Sequence, residues 1–287
     1  MSHTYQLQKY WEKVMDQLID QDQEVWLKNK VNGIQNRGQH LQRITFHLKP
    51  YHRFAYENHT ILQYFLTLSI LVKDGRSNFL EEGLYVGEVH FIGQEISDNK
   101  VKTEQGGRAD KQLSFDFIDK EEREHVRFTY NRREAVRYAD RWWDSYNPSY
   151  RHFDVDCTNY VSQCLRAGGA PSWGAPNRGR GWWYGNGTWS YSWSVAHALR
   201  WYFGGARQGL TATEVSSADQ LSPGDVICYD FEGNGRFDHN TFVVKKDGNG
   251  MPLVNAHTSN SRHRYWDYED STAYTSDIQY KFYRIDG

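Results

Sequence analysis

Residues 222–258 constrain the fold more tightly than any other stretch of the chain. Ser222, Pro223, Gly224 and Asp225 read as a turn, and three short apolar runs follow at 226–231, 238–244 and 252–258. The segments between them, 232–237 and 246–251, are polar and carry glycines. A parallel pair needs a crossover of a dozen or more residues, so these runs are expected to be successive antiparallel strands. His239 falls at the start of the second strand. Strand side chains alternate between two faces, so Asn255 and His257 share one face of the third.

A helix is expected upstream. Tyr160, Val161, Cys164 and Leu165 recur at the spacing of one buried helical face, and Gly168-Gly169 ends the run. Cys157 then lies in the first turn. Unpaired N–H groups there favour negative charge, which predicts a lowered thiol pKa and donors for an oxyanion near Asp156 and Cys157. A nucleophilic thiol needs a base, and the base needs an orienting group. His239 is positioned to be that base, and either Asn255 or His257 could hold its ring. The side chain of Asp156 reads as a brace for the turn rather than an acid. Cys164 and Cys228 read as core thiols.

Between helix and strands, 173–201 carries Trp182, Trp183, Trp189 and Trp193 among closely spaced glycines, which marks an irregular loop. Its aromatics are expected to divide between a substrate platform for sugar or peptide rings and rings that pack down to pin the loop. Asp230, Glu232, Asn234, Gly235 and Asp238 match positions of a calcium loop, but Thr241 stands where the last ligand should be Glu. A tight polar hairpin is the better expectation, and no metal is assigned. Cys157 and Cys164 are too far apart for the short cysteine spacings of structural zinc sites.

Asp156-Cys157-Thr158-Asn159-Tyr160-Val161-Ser162-Gln163, with Gly168-Gly169 after it, resembles the nucleophile motif of a bacterial amidase domain family. Pro223-Gly224-Asp225-Val226-Ile227 and Asp238-His239-Asn240-Thr241 are similar to that family's strand-turn and histidine motifs, in the same order. The resemblance runs from Thr129 to the C-terminus. It implies a papain-like fold related to NlpC-like cell-wall peptidases and CHAP amidases. Cys157 would be the nucleophile, His239 the base and Asn255 the third member, with His257 as its substitute. The implied activity is cofactor-free amide hydrolysis through a Cys157 thioester, on peptide or peptidoglycan-derived substrates. Two other readings use the same residues: a catalytically silent glycan- or peptide-binding module built on the Trp-rich loop, and a transglutaminase-like acyl transferase.

The N-terminal half looks different. Leu7, Tyr10, Trp11, Val14, Leu18, Val25 and Trp26 keep helical spacing over 5–30, and the glycines at 33–38 end the pattern. Ile44, Phe46 and Leu48 alternate as a half-buried strand. Further strands are expected at 59–72, 84–96 and 113–118, with a polar loop over 97–111. His40, His47, His52, His59 and His90 are scattered without ligand spacing, and 119–125 is a charge run suited to a linker. Residues 1–125 thus form a small α+β domain and 129–287 the amidase-like domain, an α+β chain throughout. A second helix, over 132–146, opens the latter, with Asn131 as its N-cap and Asn147-Pro148 as its stop.

A net charge of −2 over 287 residues argues against a nucleic-acid partner. No apolar run approaches the roughly 18 residues a membrane helix needs, and the first residues lack the pattern of a secretory signal. Three cysteines do not make a disulfide framework. A cytoplasmic or spore-associated setting is the expectation.

Overall fold

The computed structural model describes residues 2–16, 24–103 and 128–287. The chain divides into two compact units, and the division is not a single cut. The first unit is Met1–Glu104 together with Glu269–Thr272, and the second is Gln105–Tyr268 with Ala273–Gly287.

In the first unit, helix α1 (His3–Asp16) and helix α2 (Val25–Asn36) fall on the stretch whose spacing predicted helix. The second helix continues through Gly33, and it is Gly38, at φ 71°, that turns the chain. Leu7, Trp11, Val14, Trp26, Leu27, Val31 and Ile34 are buried, whereas Val25 is 55 % exposed and lies off the apolar face. Four strands follow: β1 (His40–Tyr56), β2 (His59–Asp74), β3 (Ser77–Ile92) and β4 (Glu95–Lys102). They pair as an antiparallel meander in chain order. The expected strand at 84–96 is therefore two strands joined at Gly93, and the start of the expected loop, 97–102, is strand. Leu18, the proposed strand at 113–118 and the charge run at 119–125 lie outside the described residues.

One face of β2 alternates strictly, with Leu62, Tyr64, Leu66, Leu68, Ile70 and Val72 buried. Tyr64 pairs across the sheet with Gly87, where an added Cβ would meet the tyrosine ring at 2.2 Å. Glycine at 87 is thus the condition for seating Tyr64, whose hydroxyl accepts a hydrogen bond from Trp11 Nε1. Lys30 is buried and donates to Glu81 and to Asp270 Oδ2 (2.6 Å).

The second unit stacks helices on one antiparallel sheet. The helices are α3 (Arg132–Trp142), α4 (Cys157–Ala167), α5 (Tyr191–Ser194) and α6 (Ala196–Gly205), with a small hairpin of β5 (Tyr184–Gly185) and β6 (Thr188–Trp189) between α4 and α5. The strands are β7 (Ala212–Val215), β8 (Val226–Asp230), β9 (His239–Lys246), β10 (Pro252–Ala256), β11 (Asn260–Tyr265) and β12 (Gln279–Ile285), in the spatial order β11-β10-β9-β8-β12-β7. As expected, β8, β9 and β10 are consecutive antiparallel neighbours. They are buried on both faces. Val226, Cys228 and Phe242 face the helices, while Ile227, Tyr229, Val243 and Val254 join a second core with Phe231 and Tyr268. No helix among the described residues is long and apolar enough to cross a membrane.

Two local signals work as the sequence implies. Asn131 Oδ1 accepts from the Glu134 N–H at 3.2 Å and caps α3, which ends at Trp142, earlier than the run to 146. The turn before β8 is held by Asp225, which is fully buried. Its carboxylate accepts from Arg132 Nη1 (2.6 Å), from its own turn at Ser222 N–H (2.7 Å) and from Ile285 N–H on β12 (3.0 Å). One side chain therefore ties the start of α3 to the turn and to β12. Removing one partner of a buried pair leaves the other uncompensated. Asp225→Ala is expected to lower stability by about 3 kcal/mol, read from the urea midpoint at unchanged slope.

Candidate active site

Cys157 is the first residue of α4 and is only 2 % exposed. Its sulfur lies 3.7 Å from Thr158 Oγ1, and the backbone N–H of Asn240 and the hydroxyl of Thr258 also favour its thiolate. Burial outweighs these contacts and pushes the thiol pKa up. This corrects the expectation of a lowered value: the donors are present, but the desolvation of the charged form is larger.

Asp156 sits at the N-cap position without bonding a helix N–H. Its Oδ1 accepts from Phe153 N–H and Asn159 Nδ2, and its Oδ2 faces His257 Nδ1 at 2.9 Å. Its carboxylate is thus occupied by three partners, and the residue is 1 % exposed.

His239 opens β9 and is 7 % exposed. Its neighbours Asn240 and Phe242 face the helices, and Asn240 Nδ2 donates to Thr158 Oγ1 at 3.1 Å. His239 itself points to the opposite core, 5.7 Å from the ring of Tyr229 and 5.2 Å from that of Tyr268. Its Nε2 lies 3.1 Å from the hydroxyl of Tyr268. The structure thus brings the start of β9 to the start of α4 through Asn240.

The two residues proposed to orient His239 are engaged elsewhere. Asn255 donates to Asp140 Oδ1 (3.2 Å) and accepts from the His263 N–H (2.9 Å). His257 lies between Asp156 and the carbonyl of Trp142, 2.7 Å from its Nε2, and stacks on Tyr160 with centroids 4.0 Å apart. Both of its nitrogens are taken by acceptors. The register explains this: Asn255 pairs with Phe242, so the face it shares with His257 is the helix face, opposite His239.

A family model described as "Putative amidase domain" matches residues 129–283, more than half of the chain. The chain belongs to this amidase domain family. Among curated proteins, it is 51 % identical over 193 residues to the uncharacterized protein YhbB of Bacillus subtilis (strain 168), a match covering 66 % of this chain and 62 % of that one. It is 30 % identical over 134 residues to the uncharacterized protein YjcM of the same organism, covering 44 % and 30 % respectively. The chain therefore spans less than two thirds of the length of these relatives. No solved structure matches.

Within the amidase domain, the tryptophan loop is mostly anchored rather than displayed. Trp182, Trp183 and Trp193 are buried. Trp182 Nε1 donates to Ser162 Oγ (3.0 Å) and Trp193 Nε1 to Asn159 Oδ1 (2.7 Å), both residues of the cysteine motif. Trp189 alone of the four proposed platform residues is half-buried, stacked near Tyr184 and edge-on to Phe153. The expected polar hairpin is present after β8, where Asp230 accepts from the N–H groups of Asn234 and Gly235. Among the described residues no group of three or more His, Cys, Asp or Glu could hold a metal. Tyr268 was not singled out by the sequence. It falls outside every motif, and nothing in 265–268 marks one aromatic from the others.

Asp238, next to His239, has one buried oxygen without a partner, and its pKa is pushed up to about 6 by burial, then by the charges of Asp230 and Glu232. An unfolded aspartate titrates near 4 (about 3.9). The folded form therefore binds the extra proton between about 4 and 6, and this contribution to stability is lost as pH rises through that window. Asp238→Asn should remove the slope, making the variant more stable than the parent at pH 7 and level with it at about pH 4, as read by urea denaturation across that range.

Proposed function

We propose that the chain is a papain-like cysteine amidase that hydrolyses amide bonds through a Cys157 thioester, with His239 as base. Membership of the amidase family supports amide hydrolysis. The cysteine mechanism rests on one observation: the N–H of Asn240, the residue after His239, favours the thiolate of Cys157. Strand N–H groups lie in the plane of the sheet. The sulfur therefore lies close to the backbone of β9 at Asn240, the residue next to His239 in the chain. Catalytic hydrogen bonds are often long in an unliganded site and tighten with substrate.

In this mechanism His239 takes the thiol proton and Cys157 attacks the amide carbonyl. The N–H groups of Asn240 and of the first turn of α4 are the available donors for the oxyanion. His239 returns the proton to the leaving amine as the C–N bond breaks, and water then hydrolyses the thioester. The substrate class is peptide, with the amide bonds of peptidoglycan stem peptides or of the sugar–peptide linkage as the target. The buried state of Trp182, Trp183 and Trp193 removes most of the platform on which a silent glycan-binding module would depend.

Purified peptidoglycan and its soluble stem peptides provide the test, with new primary amines as the readout. Cys157→Ala should lower amine release by roughly 10³-fold or more, and His239→Ala by about 10²–10⁴-fold. Release that persists undiminished in Cys157→Ala would sink the cysteine mechanism.

A further inference from the structure

His239 has an orienting group, and it is neither of those the strand pattern offers. We propose that Tyr268 is the positioning residue of the site, fixing the His239 imidazole through its phenolic oxygen; this rests on the cysteine–histidine reading above. The contact is a 3.1 Å hydrogen bond to Nε2. Tyr268 is fully buried beside Tyr229, with ring centroids 4.9 Å apart, and beside Phe231. Its backbone is at φ 61°, a left-handed conformation unusual for a bulky residue. Such strain persists only where the surroundings over-determine it. Here they do. Arg264 covers the tyrosine ring at 3.9 Å, and Tyr229 and Phe231 pack beside it.

The chemistry agrees with this geometry. For His239 to take a proton at Nδ1, Nε2 must carry its own hydrogen and donate it. The Tyr268 oxygen accepts that hydrogen both in the neutral ring and in the imidazolium formed when the Cys157 proton arrives. The phenol needs no change of protonation at any step. It acts by selecting the tautomer and the ring angle, as the third member does in cysteine and serine hydrolases. Tyr229 from β8 faces the same ring, and Asp238 precedes it; both are unchanged in a Tyr268 variant, so a difference between variant and parent isolates the phenol.

Tyr268→Phe keeps the ring and the backbone conformation and removes only the oxygen. The probe is iodoacetamide, with the rate of Cys157 alkylation followed by mass spectrometry on the full chain from pH 5 to 9. Tyr268→Phe should slow labelling about tenfold near neutral pH and raise the labelling midpoint by about one unit. The thermal midpoint should stay within a few degrees, and Cys164 and Cys228 should remain unlabelled. His239→Ala should slow labelling at least as much. If Tyr268→Phe labels like the parent while His239→Ala is slowed, the role of Tyr268 is overturned and the cysteine–histidine reading stands. If His239→Ala also labels like the parent, both fall. A Tyr268→Phe protein that melts early and labels all three thiols faster would show a merely structural tyrosine and overturn the proposal.

Discussion

Helix α4 is buried at every residue from Cys157 to Leu165, although many of those side chains are polar. A polar group removed from water has to find a partner or cost stability, and the surrounding fold is arranged by that demand. Thr158 meets Asn240, and Asn159 joins Asp156 to the indole of Trp193. Tyr160 donates to the carbonyl of Ala139, Ser162 to that of Trp193, and Gln163 accepts from Tyr138. Together these bonds tie α4 to β9, to the tryptophan loop and to α3. The cysteine motif is thus largely architecture, and Cys157 itself is met by Thr158, Asn240 and Thr258.

The same burial sets the state of the thiol. At the start of an exposed helix, unpaired N–H groups would favour thiolate. Here desolvation dominates, and the resting group is held toward the neutral form despite donors from Asn240, Thr158 and Thr258. Under the proposed mechanism such a site gains its nucleophile by proton transfer to a base, rather than by holding a standing anion. That makes the orientation of the base ring the sensitive variable.

Much of this was legible in the chain. The period of Tyr160, Val161, Cys164 and Leu165 with its glycine stop gives α4, and the three runs after Asp225 give β8, β9 and β10. Asn131 announces its cap. What failed was parity. Alternation correctly put Asn255 and His257 on one face, but which face depends on the register of β10 against β9, and Asn255 pairs with Phe242 rather than with an odd-numbered neighbour. Register is set by turns and tertiary packing, which a run of residues does not display. The tryptophans misled for a related reason: glycine-rich spacing reports an irregular path but not whether the rings on it point inward. Tyr268 carried no pattern at all, since its position is fixed by a left-handed backbone angle and by its neighbours in space.

The tetrapeptide Glu269–Thr272 belongs to the first unit, although Tyr268 before it and Ala273 after it belong to the second. A chain shortened to begin at residue 129 would keep Asp270 but lose Lys30, its buried partner. Asp270 stands two residues along the chain from Tyr268, whose hydroxyl lies 3.1 Å from His239 Nε2. A boundary drawn at residue 129 would therefore not part the two units cleanly, because the first is completed by four residues from far along the chain.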